Sequence, residues 1–390
     1  MTIKSYAIVG CWDWDGSTKE KGLRVCRYHS ETGHIELLSG ILPEIKVGFQ
    51  PLLHKNSKLY FVEEQKHTDN HKNGGGGYVY VVQFHPENER LFVVCRRESL
   101  GVNPCGCALS KSGEFLLVVH HTSTKDTATK LMRNVDGTIT NKIIYDDAAI
   151  VLFRIAEDGC IQEVCDYAVH EPQNDKASLL HAVYSYHNHF IICDKGLDCL
   201  YSYDVDEEQG KLRLQDTIHV AQGSKPRYCA FHPIKPLFYG SNEGCEKIYT
   251  YCCNPENGKL SVLCETSLHV KGEKEQGHMS SDIMITPDGR YLYVALRGIN
   301  QLISFELDEK GIPRRRGAIC CGGINPRGLS IDPDGMFLYS CNTESDDITC
   351  FKIQEDGGLL KQESIKISRP ANMMFLDINE EGSENACVSR

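Results

Sequence analysis

A repeat of about 45 residues constrains this chain more than any other feature of its sequence. Its clearest copy, residues 325–340, reads as a strand, a Pro-Asp-Gly turn and a second strand. Residues 348–353 and 359–367 follow as a third and a fourth strand, separated by a turn that contains two glycines. Four short strands in each repeat, joined by Gly and Asp turns, are typical of a β-propeller in which each repeat forms one antiparallel blade.

Seven positions mark the starts of the copies. The amino-terminal strand, residues 5–10, would complete the sheet that begins at the last of them. We therefore predict an all-β fold, a seven-bladed propeller with four-stranded antiparallel blades, in which residues 1–390 form one domain and the amino-terminal strand closes the last blade. A WD40 propeller is disfavoured, because Trp-Asp pairs occur only near the amino terminus and do not recur in each blade. The seven positions are Pro51, Pro104, Leu180, Pro226, Ser280, Pro326 and Pro370.

Charge and cysteine usage limit the possible partners and the compartment. The net charge is −11, from 42 Lys and Arg against 53 Asp and Glu, so binding to nucleic acid or to an anionic membrane through the overall field is not expected. Residues 1–10 lack the long apolar segment of a signal peptide, and no apolar run is long enough to cross a bilayer. The 19 cysteines are odd in number and include no C-x-x-C motif, so we expect reduced thiols in a cytoplasmic protein.

Polar residues gather at one face of the predicted disc. The first two strands of a blade run antiparallel, so the start of the first and the end of the second lie together, opposite the Pro-Asp-Gly turn. Arginine suits planar anions, while His and Glu can act as acid and base, so this mixture is suited to binding an anion and moving a proton. The candidates that follow the repeat mark are His181, Arg227 and Arg327, and those at the end of the second strand are Glu64, His121, Lys195, Glu243 and Arg297.

Three long insertions are expected on the same face. Residues 65–77, 122–147 and 265–279 fall either between the second and third strands of a blade or between blades. Long loops in compact domains are often functional, and these would surround the polar mouth.

The repeated Pro-Arg and Pro-Asp-Gly-x-x-Leu-Tyr pattern, with Gly-x-Asn-x-Leu at residues 298–302, resembles the seven-bladed lactonase propellers. That family includes bacterial 6-phosphogluconolactonases and the fungal carboxymuconate cyclase. The resemblance implies a cytoplasmic enzyme of carbohydrate metabolism, in the pentose phosphate pathway, with a small anionic lactone as substrate. The chain departs from the family pattern at Lys195, where an apolar residue is usual, and at residues 280–282, where Ser-Ser-Asp replaces Pro-Arg.

The cyclase branch of the family implies four catalytic or substrate-binding positions, which match His181, Arg227, Glu243 and Arg297. We expect Arg227 and Arg297 to hold the anionic group of the substrate and to stabilise the oxyanion. Either His181 or Glu243 would activate water, and the other would protonate the leaving alkoxide. Arg327, Lys195, His121 and Glu64 are expected to bind substrate.

Two alternatives to a lactone hydrolase remain open. One is a cycloisomerase that closes a muconate-type diacid to a lactone, with both arginines as anchors. The other is a propeller without catalytic activity that binds a protein or a carbohydrate.

No cofactor or metal is expected. His120 and His121 are adjacent in a strand, so their side chains point to opposite faces and cannot both coordinate one metal ion. The remaining histidines considered are expected to be solvated in turns or loops, and these are His67, His71, His187 and His189.

Overall fold

The computed structural model describes residues 4–13, 18, 20–48, 51–54, 57–66, 75–122, 127–173, 175–269 and 279–378. Within these ranges the strands form seven four-stranded antiparallel sheets and one two-stranded sheet, and there is no helix. The first strands of successive blades contact one another and form the inner ring. The predicted all-β propeller with seven four-stranded blades is therefore confirmed.

The strands are grouped here by their place in the blade, for blades 1 to 7 in order. The first, innermost strands are β4 (Leu52–His54), β8 (Pro104–Leu109), β14 (Leu180–Tyr186), β18 (Pro226–Phe231), β22 (Met279–Ile285), β26 (Pro326–Ile331) and β30 (Pro370–Ile378). The second strands are β5 (Lys58–Val62), β9 (Phe115–His120), β15 (His189–Asp194), β19 (Leu237–Asn242), β23 (Tyr291–Arg297), β27 (Phe337–Asn342) and β1 (Lys4–Cys11).

The outer half of each blade follows the same order. The third strands are β6 (Tyr78–His85), β12 (Ala148–Ile155), β16 (Cys199–Asp206), β20 (Lys247–Cys253), β24 (Gln301–Leu307), β28 (Asp347–Ile353) and β2 (Gly22–His29). The fourth strands are β7 (Arg90–Glu98), β13 (Ile161–His170), β17 (Lys211–His219), β21 (Leu260–Ser267), β25 (Pro313–Cys320), β29 (Leu359–Lys366) and β3 (His34–Ile41). The separate hairpin is β10 (Thr127–Arg133) and β11 (Ile139–Tyr145).

The seventh blade joins the two ends of the chain. Strand β30 pairs with β1, with Ile8 opposite Met374 and Tyr6 opposite Leu376. The predicted closure by the amino-terminal strand is confirmed, and β2 and β3 complete the same sheet. This pairing closes the ring of blades, because it joins the two ends of the chain in one sheet.

The core lies between the blades. Strand β27 is buried along its whole length, because neighbouring blades cover both of its faces, whereas the outer strand β25 alternates between buried and exposed residues. Aromatic rings fill the gap at blade 4, where the centroid of Phe238 lies 5.0 Å from that of Phe231 and 4.9 Å from that of Tyr251. Such layers supply most of the apolar burial that stabilises the fold.

The tyrosine at the position of the Leu-Tyr repeat motif, which Phe238 precedes in blade 4, links neighbouring blades. In four blades its buried hydroxyl, on the second strand, donates to the carbonyl of a glycine in the turn between the third and fourth strands of the next blade. These glycines have φ between 73° and 80°, a conformation that disfavours a side chain. The bonds are Tyr60 to Gly159 (2.6 Å), Tyr239 to Gly311 (2.8 Å), Tyr293 to Gly357 (3.0 Å) and Tyr339 to Gly33 (2.6 Å).

The hairpin β10–β11 belongs to the insertion at residues 122–147, between the second and third strands of blade 2. Every residue of β10 is exposed, and the two strands pair only with each other. Residues 123–126 of this insertion, like residues 67–74 and 270–278 of the other two, lie outside the described part of the chain.

Candidate functional site

A β-bulge begins the first strand in most blades and determines which side chains reach the mouth. The pairing register passes from Leu180 to Ala182 and leaves out His181. The same shift leaves out Arg227 in blade 4 and Arg327 in blade 6. A bulged residue is unpaired and its side chain is re-aimed, which explains why the position after the repeat mark can carry large polar groups on the innermost strand.

The second set of polar residues is fixed by a repeated backbone hydrogen bond. The residue that follows the second strand donates its N–H to the carbonyl of the residue just before the first strand. The bonds from His121, Lys195 and Glu243 measure 3.0, 3.1 and 2.9 Å. Because this bond joins the end of the second strand to the start of the first, the two sets of polar residues lie side by side on one face, as predicted.

Glu243 lies at the centre of a cluster of three cations. Its Oε2 atom is 3.1 Å from Arg227 Nε, 3.3 Å from Lys195 Nζ and 3.5 Å from Arg297 Nη2. The structure thus brings together four of the predicted residues, from blades 3, 4 and 5. Burial alone would raise the pKa of Glu243, but Lys195, Arg227 and Arg297 outweigh it and lower that pKa well below its ordinary value.

Arg227 is almost fully buried, and two contacts fix the position of its guanidinium group. Its Nη1 donates to the Ser281 carbonyl at 2.5 Å, and its guanidinium carbon lies 4.4 Å from the centroid of the Tyr228 ring. Arg297 is also largely buried, and burial together with the charge of Arg227 lowers its pKa to about 10. The guanidinium group of Arg297 therefore remains charged near neutral pH.

His181 and His121 lie next to each other beside this cluster. Their ring centroids are 5.6 Å apart, and His181 lies 5.2 Å from the ring of Tyr228. Neither ring nitrogen of His181 has a hydrogen-bond partner in the described part of the chain. Burial, with the charges of Lys195 and Arg227, holds the pKa of His181 well below its ordinary value, and burial with Lys195 lowers that of His121 to about 3. Both rings are neutral at pH 7.

Arg327 and Glu64 lie on the other side of the mouth, in blades 6 and 1. The guanidinium carbon of Arg327 is 3.7 Å from the ring centroid of Trp12, a close cation–π contact. Burial raises the pKa of Glu64, while Arg327 and Lys195 act in the opposite direction. All eight predicted residues therefore surround one mouth.

Trp12 and Tyr228 are two residues of the mouth that the sequence analysis did not select. Trp12 directly follows β1, the second strand of blade 7, and donates its backbone N–H to Arg369 O at 2.9 Å, the same bond made by Glu243. Extending the register of the first six blades to the seventh would have identified Trp12. Tyr228 immediately follows Arg227 but carried no signal beyond its position.

The described residues contain no group of three or more His, Cys, Asp or Glu side chains that could hold a metal ion. His120 Nδ1 donates to the Ala149 carbonyl at 3.0 Å, whereas His121 contacts His181. The expectation of a solvated His189 is wrong, because this residue belongs to β15, is buried, and pairs through Nδ1 with Asp204. His187 is exposed, as expected, while residues 67 and 71 lie outside the described ranges.

No helix in the described residues is long and apolar enough to cross a membrane.

A family model and two named relatives match most of this chain. The model of the family described as "Lactonase, 7-bladed beta-propeller" matches residues 7–376. A 6-phosphogluconolactonase of Formosa agariphila is 26% identical over 355 residues, which cover 87% of this chain and 91% of that protein. A 6-phosphogluconolactonase of Bacillus subtilis is 24% identical over 330 residues, with 82% and 84% covered.

Solved structures with the same fold include the periplasmic gluconolactonase of Pseudomonas aeruginosa. It superposes with a TM-score of 0.77 at 20% identity, over 96% of this chain and 99% of that one. A protein from Lactobacillus plantarum superposes with a TM-score of 0.76 at 18% identity, over 96% and 99%. These two likenesses show the propeller fold.

Proposed function

The chain belongs to the family of seven-bladed β-propeller lactonases, and from that premise we propose that it hydrolyses a sugar-acid lactone, specifically 6-phosphogluconolactone. The observation that carries the proposal is the mouth itself, where Lys195, Arg227 and Arg297 converge on Glu243 Oε2 beside the unbonded imidazole of His181. The relatives named 6-phosphogluconolactonase support the choice of substrate.

His181 is the group suited to activate water. A general base must be unprotonated and still able to accept a proton at the working pH. The low pKa of His181 keeps its ring neutral, and neither nitrogen is used by another described residue. Glu243 is unprotonated too, but its carboxylate is engaged by Lys195, Arg227 and Arg297, so it is less available to accept a proton from water. We assign Glu243 the role of holding Lys195, Arg227 and Arg297 in place.

Arg227 and Arg297 are suited to stabilise the oxyanion. Both are buried cations, and a fixed charge in a site of low water content stabilises developing negative charge strongly. Arg297 Nε has no hydrogen-bond partner among the described residues, so this buried donor is not committed to another protein group there. Arg227 is fixed by the Ser281 carbonyl and the Tyr228 ring.

The proposed reaction is a single hydrolysis in two steps. The oxygen of water attacks the ring carbonyl carbon while His181 accepts one of its protons, and the carbonyl electrons move to the oxygen between Arg227 and Arg297. The tetrahedral intermediate then collapses and breaks the bond from the carbonyl carbon to the ring oxygen. The departing alkoxide takes the proton from His181, which leaves the acid product and a neutral imidazole.

The charge of the mouth fits an anionic substrate although the whole chain carries −11. Among the eight predicted residues, four are cations, Lys195, Arg227, Arg297 and Arg327, and two are carboxylates, Glu64 and Glu243, so positive groups outnumber negative groups in this set. A phosphate monoester near its second ionisation carries about −2. A phosphorylated lactone therefore complements the mouth better than an uncharged one.

We place this activity in the cytoplasm. The 18 described cysteines are free thiols, as is usual in a reducing compartment. The solved gluconolactonase of Pseudomonas aeruginosa is periplasmic, so the compartment needs its own test. Fractionation of the native host is expected to recover the chain with cytoplasmic markers, and recovery with an extracytoplasmic fraction would contradict the assignment.

A substrate panel tests the function. Purified protein is assayed on 6-phosphogluconolactone, on gluconolactone and on 3-carboxymuconate, with the rate without protein subtracted. We expect catalysed hydrolysis of 6-phosphogluconolactone, with a smaller kcat/KM for the unphosphorylated lactone. Cyclisation of 3-carboxymuconate without lactone hydrolysis would support the cycloisomerase instead, and binding without turnover on any member would support a non-catalytic propeller.

A further inference from the structure

Trp12 forms, with Arg327, a part of the mouth that the proposed reaction does not use. The indole follows the second strand of blade 7 at the position that Lys195 and Glu243 occupy in blades 3 and 4. The guanidinium carbon of Arg327 lies 3.7 Å from the centroid of this indole. A planar cation stacked on an indole face keeps its hydrogen-bonding edge directed outward in the plane, which favours recognition of a tetrahedral or planar anion.

The edge of the indole carries a donor that no described residue uses. Trp12 Nε1 is buried, and it has no hydrogen-bond partner in the part of the chain that the structure describes. A buried donor without a partner costs free energy, so native proteins rarely keep one unless a ligand or water satisfies it. The donor lies on the same ring that supports Arg327.

Arg327 is also distinct from the other three cations of the mouth. Lys195, Arg227 and Arg297 all pair with Glu243, whereas Arg327 makes no ion pair within 4.0 Å among the described residues. Its guanidinium donors are therefore not committed to a carboxylate. The mouth has two cationic parts, one in blades 3 to 5 around Glu243 and one in blades 6 and 7 at Arg327 and Trp12.

We infer that Arg327 and Trp12 form a second subsite that binds the phosphate of the lactone substrate, while the cluster around Glu243 binds the ring carbonyl. Arg327 supplies the charge and the fork of donors, and Trp12 supplies the supporting ring and one N–H. This inference rests on the proposed function for the identity of the phosphate-bearing molecule. It makes Trp12 a specificity-determining residue.

Kinetic discrimination is the first test. Trp12→Phe keeps an aromatic ring under Arg327 and removes only the N–H, whereas Trp12→Leu removes both. We expect Trp12→Phe to lower the ratio of kcat/KM for 6-phosphogluconolactone over gluconolactone about tenfold, mainly through KM, which is the effect of one lost hydrogen bond to a charged group. Trp12→Leu should lower the ratio further. Arg327→Lys keeps the charge but loses the fork, and should change the ratio in the same direction.

A matched control lies at the opposite face of the propeller. Arg290 stacks on Tyr291, with 5.0 Å from the guanidinium carbon to the ring centroid, at the far end of the strand that carries Arg297. Tyr291→Phe removes one polar group from this second arginine–aromatic pair and should leave the ratio unchanged. An equal loss on both lactones in Trp12→Phe, with a ratio like that of the control, would overturn the inference.

Direct binding of inorganic phosphate separates this inference from the proposed function. The chain has two tryptophans, so Trp14→Phe leaves Trp12 as the only indole reporter. We expect inorganic phosphate to change its fluorescence saturably, and Arg327→Gln to abolish that change. No response to phosphate in the folded variant would refute the subsite even if lactones are hydrolysed. A saturable response without hydrolysis of either lactone would refute the proposed function and leave the anion subsite standing.

Discussion

Replacement of Glu243 by glutamine separates the two roles that a carboxylate at this position can have. Glutamine has the same shape and keeps one acceptor oxygen, but it removes the negative charge. In the native protein that charge lies 3.1 to 3.5 Å from nitrogens of Arg227, Lys195 and Arg297. Glu243→Gln therefore leaves three buried cations without their shared counter-charge.

The expected loss of stability follows from this geometry. Breaking a buried ion pair by removing one partner costs about 3–5 kcal/mol. An unfolding entropy of about 2.1 cal/mol/K per residue gives roughly 0.8 kcal/mol/K for a chain of this length, so Tm should fall by about 4–6 °C. Calorimetry at pH 7 measures the shift. Glu344→Gln is the matched control, because Glu344 lies on the same face but is exposed, and it should shift Tm by less than about 1 °C.

The expected fall in kcat for Glu243→Gln is smaller than the fall expected when the general base, His181, is replaced. If Glu243 only positions the cations, kcat for 6-phosphogluconolactone should fall by no more than about tenfold, because each cation is still present. His181→Gln should lower kcat at least about a hundredfold, which is the usual contribution of a general base. KM should not rise in Glu243→Gln, since the variant removes a negative charge from a mouth that binds an anion.

Initial rates of the two variants, measured on folded protein, decide between the roles. A loss of kcat in Glu243→Gln as large as in His181→Gln, with Tm unchanged, would refute the reasoning. In that case Glu243 would be the base and the cations would not depend on it.

Three further predictions follow from the site and from the blade contacts. Because burial and nearby cations hold the pKa of His181 well below its ordinary value, protonation removes the base only at low pH, so kcat/KM for gluconolactone, which has no phosphate to titrate, should stay flat between about pH 6 and 8; a fall centred near pH 6.5 in the pH–rate profile would contradict this assignment. Gly244→Ala would place a Cβ 1.8 Å from the Gly223 carbonyl oxygen, so the turn after Glu243 must move; we expect a lower Tm and a lower kcat/KM, and a variant with native values in both measurements would show that the turn is not rigid. Tyr239→Phe leaves the Gly311 carbonyl without its buried donor and should lower the free energy of unfolding by about 1–2 kcal/mol in denaturant titration with unchanged kcat, whereas unchanged stability would argue against the link between blades.

The blade architecture could be predicted because a local sequence pattern identifies each blade. Turn residues, the Leu-Tyr motif and the period near 45 residues identify each blade without knowledge of contacts. The tyrosine recurs because its hydroxyl reaches a glycine carbonyl of the next blade, as in Tyr339 and Gly33. The closing strand β1 was also predictable, but that β2 and β3 complete the same sheet followed only from the pairing in space.

The residues that line the mouth could be predicted from the strand ends, but the contacts between those residues could not. The register placed His181, Arg227 and Glu243 on one face, since antiparallel strands bring those ends together. It did not show that one oxygen of Glu243 contacts three cations, because those contacts join blades that are far apart in sequence. The choice between His181 and Glu243 as base depends on burial and neighbouring charge, which only the structure supplies.

In two segments of the chain the secondary structure differs from the prediction made from the sequence. The insertion at residues 122–147 was predicted only as a long loop, yet it contains the hairpin β10–β11, whose turn residues resemble those of ordinary loops. His189 does not lie in a turn or loop but begins β15, and its side chain is buried against Asp204.

The central claim is that the ring carbonyl of the lactone binds between Arg227 and Arg297 next to His181. The most direct measurement is a crystal structure of the protein with the product 6-phosphogluconate. We expect the product carboxylate within hydrogen-bonding distance of both guanidinium groups, with an oxygen close to a ring nitrogen of His181. A product molecule bound with its carboxylate away from Arg227 and Arg297, at the opposite face or outside the mouth, would contradict the claim.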